Sequence, residues 1–422
     1  MKRVVVLLMA YLLVMPSKAQ TRAVSDSIVK ANLTFYDVKK LLLKANIVLL
    51  SSYYDVEVAD AELIQAKLWG NPNFVWNQDL YSIEQNRYLN LQNQKLLQVE
   101  YTFKIAGKYT NTVKLAKLGL ELSKLQVQDV MRSLLFEAGE HFYTLLAAQQ
   151  KQELYEATLQ RYEQLIISAE ERLRVGAMAS NEVLRLKSEQ IAVRTEATQN
   201  KNEVLEEMSQ LRMMLNLREN VFIIAADDQP PLNDAGALYL LIDDALKGRP
   251  DYLLSLKQVD YQNRNLKLER SNAYPDLDFG YQPHDKGSNW VRPYQGLELE
   301  FNVPLFNRNQ GNIKLAKAKV SQAELGTLQA ENRVRNEVYK SYEQFVNTRK
   351  GYQDYSDDFI KQTEDLNINA NQNYSKKNIN LLEFIDLQRI YIINKTQYID
   401  LKNAYQRSIN QLNFSIGKEI IH

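Results

Sequence analysis

The chain has 422 residues, 45% of them apolar, with 52 Lys and Arg against 51 Asp and Glu for a net charge of +1. That balance lacks the basic excess of a nucleic-acid binder, and the absence of Cys excludes disulfides, thiolate metal sites, Cys nucleophiles and a lipid joined through an N-terminal Cys. Only 14 Gly occur, about half the ~7% of an average protein, which points to long uninterrupted helices.

Residues 1–19 read as a secretory signal peptide: Lys2 and Arg3 are followed by an apolar run from Val4 to Met15 and a small-x-small site at Ser17-Lys18-Ala19. The apolar run is about 12 residues, shorter than the ~20 a spanning helix needs, so the expected mature chain is exported and has no membrane-spanning helix. Beyond Pro16 the prolines fall at 72, 230, 231, 250, 275, 283, 293 and 304, leaving 73–229 and 305–422 free of them. Proline breaks helix interiors, so those two stretches are where long helices fit.

The two halves also match. A shift of 203 lays Lys44 on Lys247, Pro72 on Pro275 and Trp76 on Phe279; a shift of 200 lays Lys114-Leu115-Ala116-Lys117 on the identical Lys314-Leu315-Ala316-Lys317; a shift of 201 lays Glu182 on Glu383 and Leu211 on Leu412. The chain therefore reads as a tandem duplication whose period is far too long for a solenoid.

The first repeat, 20–229, opens with a helix near 34–68, where Val38, Leu41, Leu42, Ala45 and Leu49 mark one face. A strand pair follows at 73–82 and 96–106; in the second strand Leu97, Val99, Tyr101, Phe103 and Ile105 alternate with polar residues. A long helical hairpin spans 108–220 and turns near Gly176. The second repeat, 230–422, repeats this order: a helix near 236–271, strands at 275–283 and 294–305, and a hairpin at 308–417 turning near Lys377. The outgoing helix of each hairpin, near 108–173 and 308–373, is about 100 Å long at 1.5 Å per residue.

The expected fold class is mainly α with a small β part. Each strand has one apolar and one charged face and a length that suits a tilted strand in a bilayer. Four strands cannot close a barrel alone, whereas three chains supply twelve, an even number within the outer-membrane range. A soluble helical scaffold with two small hairpins is the alternative left open by the pattern. Three scattered His (His141, His284, His422) and no phosphate loop give no material for a zinc or triad site, so no enzyme and no cofactor is expected.

The segment from Asn302 to Asn312 joins the last strand to the long helix: Pro304 ends ladder pairing, Leu305 and Phe306 form an apolar plug, and Asn307 caps a helix beginning at Arg308, with Gly311 just inside. This Pro304-Leu305-Phe306-Asn307-Arg308-x-x-Gly311 run resembles the "P-L-F-(D/N)-R-x-x-G" motif of the TolC-like outer-membrane efflux protein family. The matching run in the first half, Lys104-Ile105-Ala106-Gly107-Lys108, keeps only the Gly and a basic residue. The resemblance covers nearly the whole mature chain.

What the resemblance implies is a homotrimer with a twelve-stranded β-barrel in outer-membrane lipid, joined to a long α-helical barrel across the periplasm. It would be the passive exit duct of a tripartite pump, with a periplasmic adaptor (membrane fusion) protein and an inner-membrane transporter of the resistance-nodulation-division type. A type I secretion duct shares that architecture, and a periplasmic coiled-coil scaffold is the reading from another class.

The resemblance also assigns candidate sites. The adaptor-docking tips fall on Arg174, Val175, Gly176, Ala177 and Ser180, and on Ser375, Lys376, Lys377 and Asn378, where Lys377 stands at a position that is usually Gly. Glu383 and Asp386, three residues apart on one helical face, match the acidic pair that rings the periplasmic aperture of such channels; a solvated helix face is the plain reading of the same pair. Phe74, Trp76, Tyr81, Tyr88, Tyr101, Trp290, Tyr294 and Phe301 are candidates for an aromatic girdle.

Overall fold

The computed structural model describes residues 28–78, 81–82, 86–88, 95–227, 230–285, 292, 294–355 and 357–421. The expected signal peptide, Trp290 and His422 lie outside these. Strand β1 (Val29–Leu33) and helices α1 (Phe35–Ala45) and α2 (Ile47–Lys67) lead to β2 (Asn73–Gln78), the short β3 (Tyr81–Ser82) and β4 (Arg87–Tyr88), and β5 (Lys95–Phe103). Helices α3 (Lys108–Arg174) and α4 (Ser180–Met214) form a hairpin closed by β6 (Val221–Ala225). The second half runs α5 (Leu238–Gly248), α6 (Pro250–Ser271), β7 (Leu277–Asp285), β8 (Tyr294–Glu300), α7 (Gln310–Asp354), α8 (Asp357–Ser375) and α9 (Leu381–Ile416).

The opening helix of each half is divided. Asn46 separates α1 from α2: its side-chain oxygen accepts from Leu49 N at 2.9 Å, and its amide donates to Met214 O at 2.8 Å. At the corresponding joint Pro250 opens α6, and the preceding Arg249 is extended (φ −69°, ψ 122°), as a residue before proline prefers. Arg249 is 1% exposed. Its guanidinium forks onto Asp251 at 2.6 and 3.0 Å, donates to Ser415 O at 2.9 Å and reaches Glu337 at 2.7 Å. Each joint is thus tied to a carbonyl near the end of the returning helix of its own half. Burying a guanidinium is tolerable here because its donors are so fully engaged.

The outgoing helices differ. α3 is unbroken over 67 residues, about 100 Å at 1.5 Å per residue, whereas the expected continuous helix near 308–373 is interrupted at Tyr355 (φ −84°, ψ 85°). No proline causes the break. It falls in Asp354-Tyr355-Ser356-Asp357-Asp358, a run of residues that compete with the helix backbone and favour a fresh N-terminus.

Three clusters hold the elements together. Val38, Leu42, Phe142, Leu145, Met208, Leu211 and Ile223 join α1, α3, α4 and β6. Val334, Val338, Phe345, Tyr405 and Leu412 join α7 to α9 beneath α5. Toward the hairpin ends Tyr162, Ile166, Leu186, Phe384 and Ile385 draw the two hairpins together. A parallel pair of β1 with β6 was not anticipated. The main sheet has the order β2-β5-β7-β8, antiparallel throughout, with β2 and β8 as its edges.

Strand limits depart from the sequence expectation. The expected 73–82 strand is divided: β2 spans Asn73–Gln78, and Tyr81–Ser82 pairs separately with Arg87–Tyr88. β5 stops at Phe103, and β8 stops at Glu300 rather than 305. The partner of Glu300 is Asp278, and the segment before Leu277 is a turn ending in Pro275, so nothing remains for residues 302–305 to pair with.

Candidate functional site

Alternation in the sheet gives two unlike faces. On one, cross-strand neighbours line up as Phe74–Val99–Tyr281–Leu297 and Tyr101–Phe279–Leu299, a continuous apolar band. Within it Phe74, Trp76, Phe279, Tyr281, Leu297 and Leu299 are exposed. On the other face Gln98 is 5% exposed. Its amide donates to Glu100 at 2.8 Å and to Glu298, and its carbonyl accepts from Gln282 at 2.8 Å. Thr102 donates to Asp278 on the same face. Gly280 makes this network possible, since a Cβ there would lie 2.7 Å from Gln98 Nε2.

At the far end the two hairpin turns share one geometry. In the first, Gly176 is left-handed (φ +72°); its N–H donates to Leu173 O at 3.0 Å, and Ala177 N–H donates to Arg172 O at 2.8 Å. In the second, Lys377 takes the left-handed position (φ +60°), with Lys377 N–H to Tyr374 O at 3.1 Å and Asn378 N–H to Asn373 O at 2.8 Å. Both are Schellman motifs, which satisfy the last orphan carbonyls of α3 and α8. Two other left-handed positions occur in corresponding places: Gly107 and Asn309 before the outgoing helices, and Asn216 and Gly417 after the returning ones.

The candidate docking residues Arg174, Val175, Gly176, Ala177, Ser180, Ser375, Lys376, Lys377 and Asn378 are all exposed at these two turns. Arg174 is held by Glu171 at 2.9 Å. Just beyond each turn an acid begins the returning helix: Glu182 accepts from Ala179 N at 3.2 Å, and Glu383 N donates to Asn380 Oδ1 at 2.9 Å. Glu383 and Asp386 are exposed on one side of α9, while Phe384 and Ile385 between them are buried. Tyr374 stacks on Phe384 at 4.6 Å, and burial raises its phenol pKa.

Behind the turns lies a contact between hairpins that sequence reasoning missed. Arg389 of α9 pairs with Glu189 of α4, its Nε 3.0 Å from the carboxylate. Beneath it Tyr162, 2% exposed, has a hydroxyl with no partner. Burial, reinforced by the Glu189 charge, pushes that phenol up to about 12. Arg161, Asn367 and Gln388 form a buried polar link beside it, with Arg161 donating to Asn367 at 2.9 Å and to Gln388 at 3.2 Å. No periodicity marks these residues, because their partners are on separate hairpins.

The strand-to-helix motif is built differently from the expectation. The helix begins at Gln310, so the residue before it is Asn309 (φ +57°), not Asn307. Asn307 accepts from Asn309 N at 3.1 Å in a local turn, and Gln310 accepts from Arg308 N at 2.7 Å. Asn309 in turn donates to Glu269 O at 2.8 Å, which anchors the helix start on α6. Leu305 N donates to Val303 O at 2.9 Å across Pro304, a γ-turn. Leu305 and Phe306 plug nothing within the chain: Phe306 is 92% exposed. Gly311 has open space around it. Among the described residues no group of His, Cys, Asp or Glu could hold a metal ion, and no helix is long and apolar enough to cross a membrane.

These elements make up the TolC-like architecture. A solved membrane protein from Pseudomonas aeruginosa superposes with TM-score 0.73 at 16% identity, over 90% of this chain and 93% of that one. The Campylobacter jejuni CmeC outer membrane channel gives 0.72 at 16% identity, over 91% and 85%. The open state of the Neisseria gonorrhoeae MtrE outer membrane channel gives 0.71 at 13%, over 92% and 89%. No protein-family model and no curated protein matches the sequence.

Proposed function

We propose that three copies of this chain form an outer-membrane channel that serves as the passive exit duct of a tripartite efflux pump. The observation that carries this reading is the main sheet. Its apolar band is exposed, its opposite face is a hydrogen-bonded polar surface, and among the described residues no strand pairs with the outer edge of β2 or of β8. A sheet like this is a liability in water, and closure onto two further copies in lipid removes both problems. The solved channels of like fold support the same reading. The hairpins then extend into the periplasm, with the two turns as docking points for the adaptor. Glu383 and Asp386, multiplied by three, form an acidic ring near the aperture that favours cations. The duct does no chemistry and needs no cofactor.

Unheated outer-membrane fractions run on SDS gels provide the test. A heat-labile trimer that also conducts in planar bilayers supports the proposal; recovery of the chain as a soluble periplasmic protein refutes it.

A further inference from the structure

Near the sheet four helices stand in a row. α2 packs on α3, α3 on α6 and α6 on α7, which leaves α2 and α7 as the two edges among the described residues. The middle junction, α3 with α6, joins the two repeats through polar groups. Asn111 donates to Ser271 Oγ at 2.9 Å and accepts from Arg264 at 3.2 Å, and Lys257 pairs with Glu121 at 3.0 Å. Lys257, Arg264 and Ser271 recur at every seventh position and so form one stripe of α6. The shift of 203 carries that stripe onto Tyr54, Ala61 and Leu68 of α2. All three are exposed, as are Leu50 and Val58 beside them. The opposite side of α2 buries Leu49, Ser52, Ala59 and Leu63. A helix apolar on both sides is one that is covered on both. The shift of 200 carries Asn111 and Glu121 onto Gly311 and Ser321 of α7. Here Gly311, Leu315, Ala318 and Leu325 are exposed, on the side away from Thr327, whose hydroxyl donates to Ser255 O of α6. No polar tie of the internal junction survives the transfer: Asn111–Ser271 becomes Gly311–Leu68, Asn111–Arg264 becomes Gly311–Ala61, and the ion pair becomes Ser321–Tyr54.

We infer that the α2 edge of one copy packs on the α7 edge of the next in the register of the α3–α6 junction, with Leu68 seated on Gly311, as an apolar counterpart of that polar contact. This rests on the proposed trimer. The exchange of chemistry has a physical reason. A junction inside one chain is held by connectivity and can rest on hydrogen bonds, whereas separate copies lose freedom of motion that apolar burial must offset. Gly311 fits the same scheme. A Cβ there meets open space within the chain, so the fold of one copy does not require glycine, and the room it leaves suits Leu68 of a neighbour. The seam continues into the sheet. The same transfer takes the β5–β7 pairing onto β8 and the β2 of the next copy. It brings Phe301 and Val303, exposed beyond the end of β8, beside Phe74 and Trp76, which are exposed on the same face. Lipid is not the cover for the α2 stripe, because α2 runs 21 residues away from the sheet, about 32 Å.

The chain has no Cys, so an engineered pair reports alone. The full-length double variant Leu68→Cys/Gly311→Cys, oxidised with copper–phenanthroline in outer-membrane fractions, should give covalent dimers and trimers of the chain on heated, non-reducing SDS gels. Tyr54→Cys/Gly311→Cys sets the thiols about 21 Å apart along the helices and should not link. Separately, Gly311→Leu should lower the amount of heat-labile trimer about tenfold. Adding Leu68→Ala should restore most of it, which a general folding defect would not allow. A wild-type trimer whose Leu68/Gly311 pair stays unlinked, or whose Tyr54/Gly311 pair links instead, overturns the assigned seam and leaves the trimer standing. So does a trimer indifferent to Gly311→Leu, or a loss that Leu68→Ala does not recover. Linkage of the Leu68/Gly311 pair to a species that is not a multiple of the chain mass puts another protein on this edge and also overturns the seam. If the wild type forms no heat-labile trimer, the proposed channel fails and this inference with it.

Discussion

Gly139 lies in the middle of α3, where that helix meets α9. A Cβ built there falls 2.6 Å from both the oxygen and the nitrogen of the Asn410 amide and 2.7 Å from its carbon, closer than real carbon atoms approach. Asn410 cannot simply swing away. Its amide donates to Phe136 O and to Glu140, each at 3.0 Å, and Glu140 also takes a hydrogen bond from Arg407. On helix propensity alone Gly139→Ala should stabilise by about 1 kcal/mol. Against that stand the two Asn410 hydrogen bonds, about 1 kcal/mol each, and overpacking of about 1–3 kcal/mol. The net expectation is destabilisation by about 2–4 kcal/mol. Guanidinium unfolding of the purified protein measures it, with an unchanged slope required before midpoints are compared. In a double-mutant cycle Asn410→Ala should relieve the clash, giving a favourable coupling of about 1–3 kcal/mol with Gly139→Ala. Stabilisation by Gly139→Ala, or zero coupling, would refute the close approach of α3 and α9.

Lys377→Gly should relieve about 1–2 kcal/mol of left-handed strain and lose about 0.5–1 kcal/mol to glycine's freedom in the unfolded chain, for a net gain near 0.5–1 kcal/mol. Amide exchange at residue 378 should then slow by about two- to fivefold, and faster exchange would argue against the turn as described. Tyr162→Phe should leave stability unchanged or raised at neutral pH, because the hydroxyl it removes is buried without a partner. The raised Tyr162 pKa of about 12 places its contribution fully below the unfolded value near 10 and loses it as pH rises through 10 to 12. The Phe variant should therefore fall less in unfolding midpoint between pH 9 and 11 than the wild type, and an equal fall counts against burial of the phenol. Replacing Glu383 and Asp386 by Asn should lower the cation preference of the proposed trimeric channel in planar bilayers; an unaltered reversal potential would remove both residues from the ion path.

The features most legible in the sequence were those with a local signal. Nine-residue alternation around Val99 marked a strand, the proline-free stretch 73–229 marked where α3 fits, and Gly176 marked a turn. Whatever depended on distant partners was hidden. β1 and β6 are five residues each and pair across almost the whole first half. The joint at Asn46 depends on a carbonyl at Met214, and the Arg389–Glu189 tie on two separate hairpins. Nothing in the alternation of 294–305 revealed that the ladder runs out at Glu300, because that limit is set by the turn before Leu277 on the neighbouring strand. At the hairpin ends the sequence located the residues, while their shared left-handed geometry appeared only in the backbone.

The unbroken α3 also constrains how this chain can change its length. Inserting one residue in a helix adds about 1.5 Å and rotates everything downstream by about 100°. In a short helix a loop absorbs such a change. Here the Tyr162–Ile166–Leu186 packing and the Phe142–Leu145–Met208 packing lie on the same rigid rods, so an insertion between them moves one cluster out of register with the other. To keep both, α4 would have to lengthen by the same amount, and so would α8 and α9 if their turn is to stay level with the first. A tolerated insertion in this chain is therefore a coordinated one, made four times over and close to whole turns.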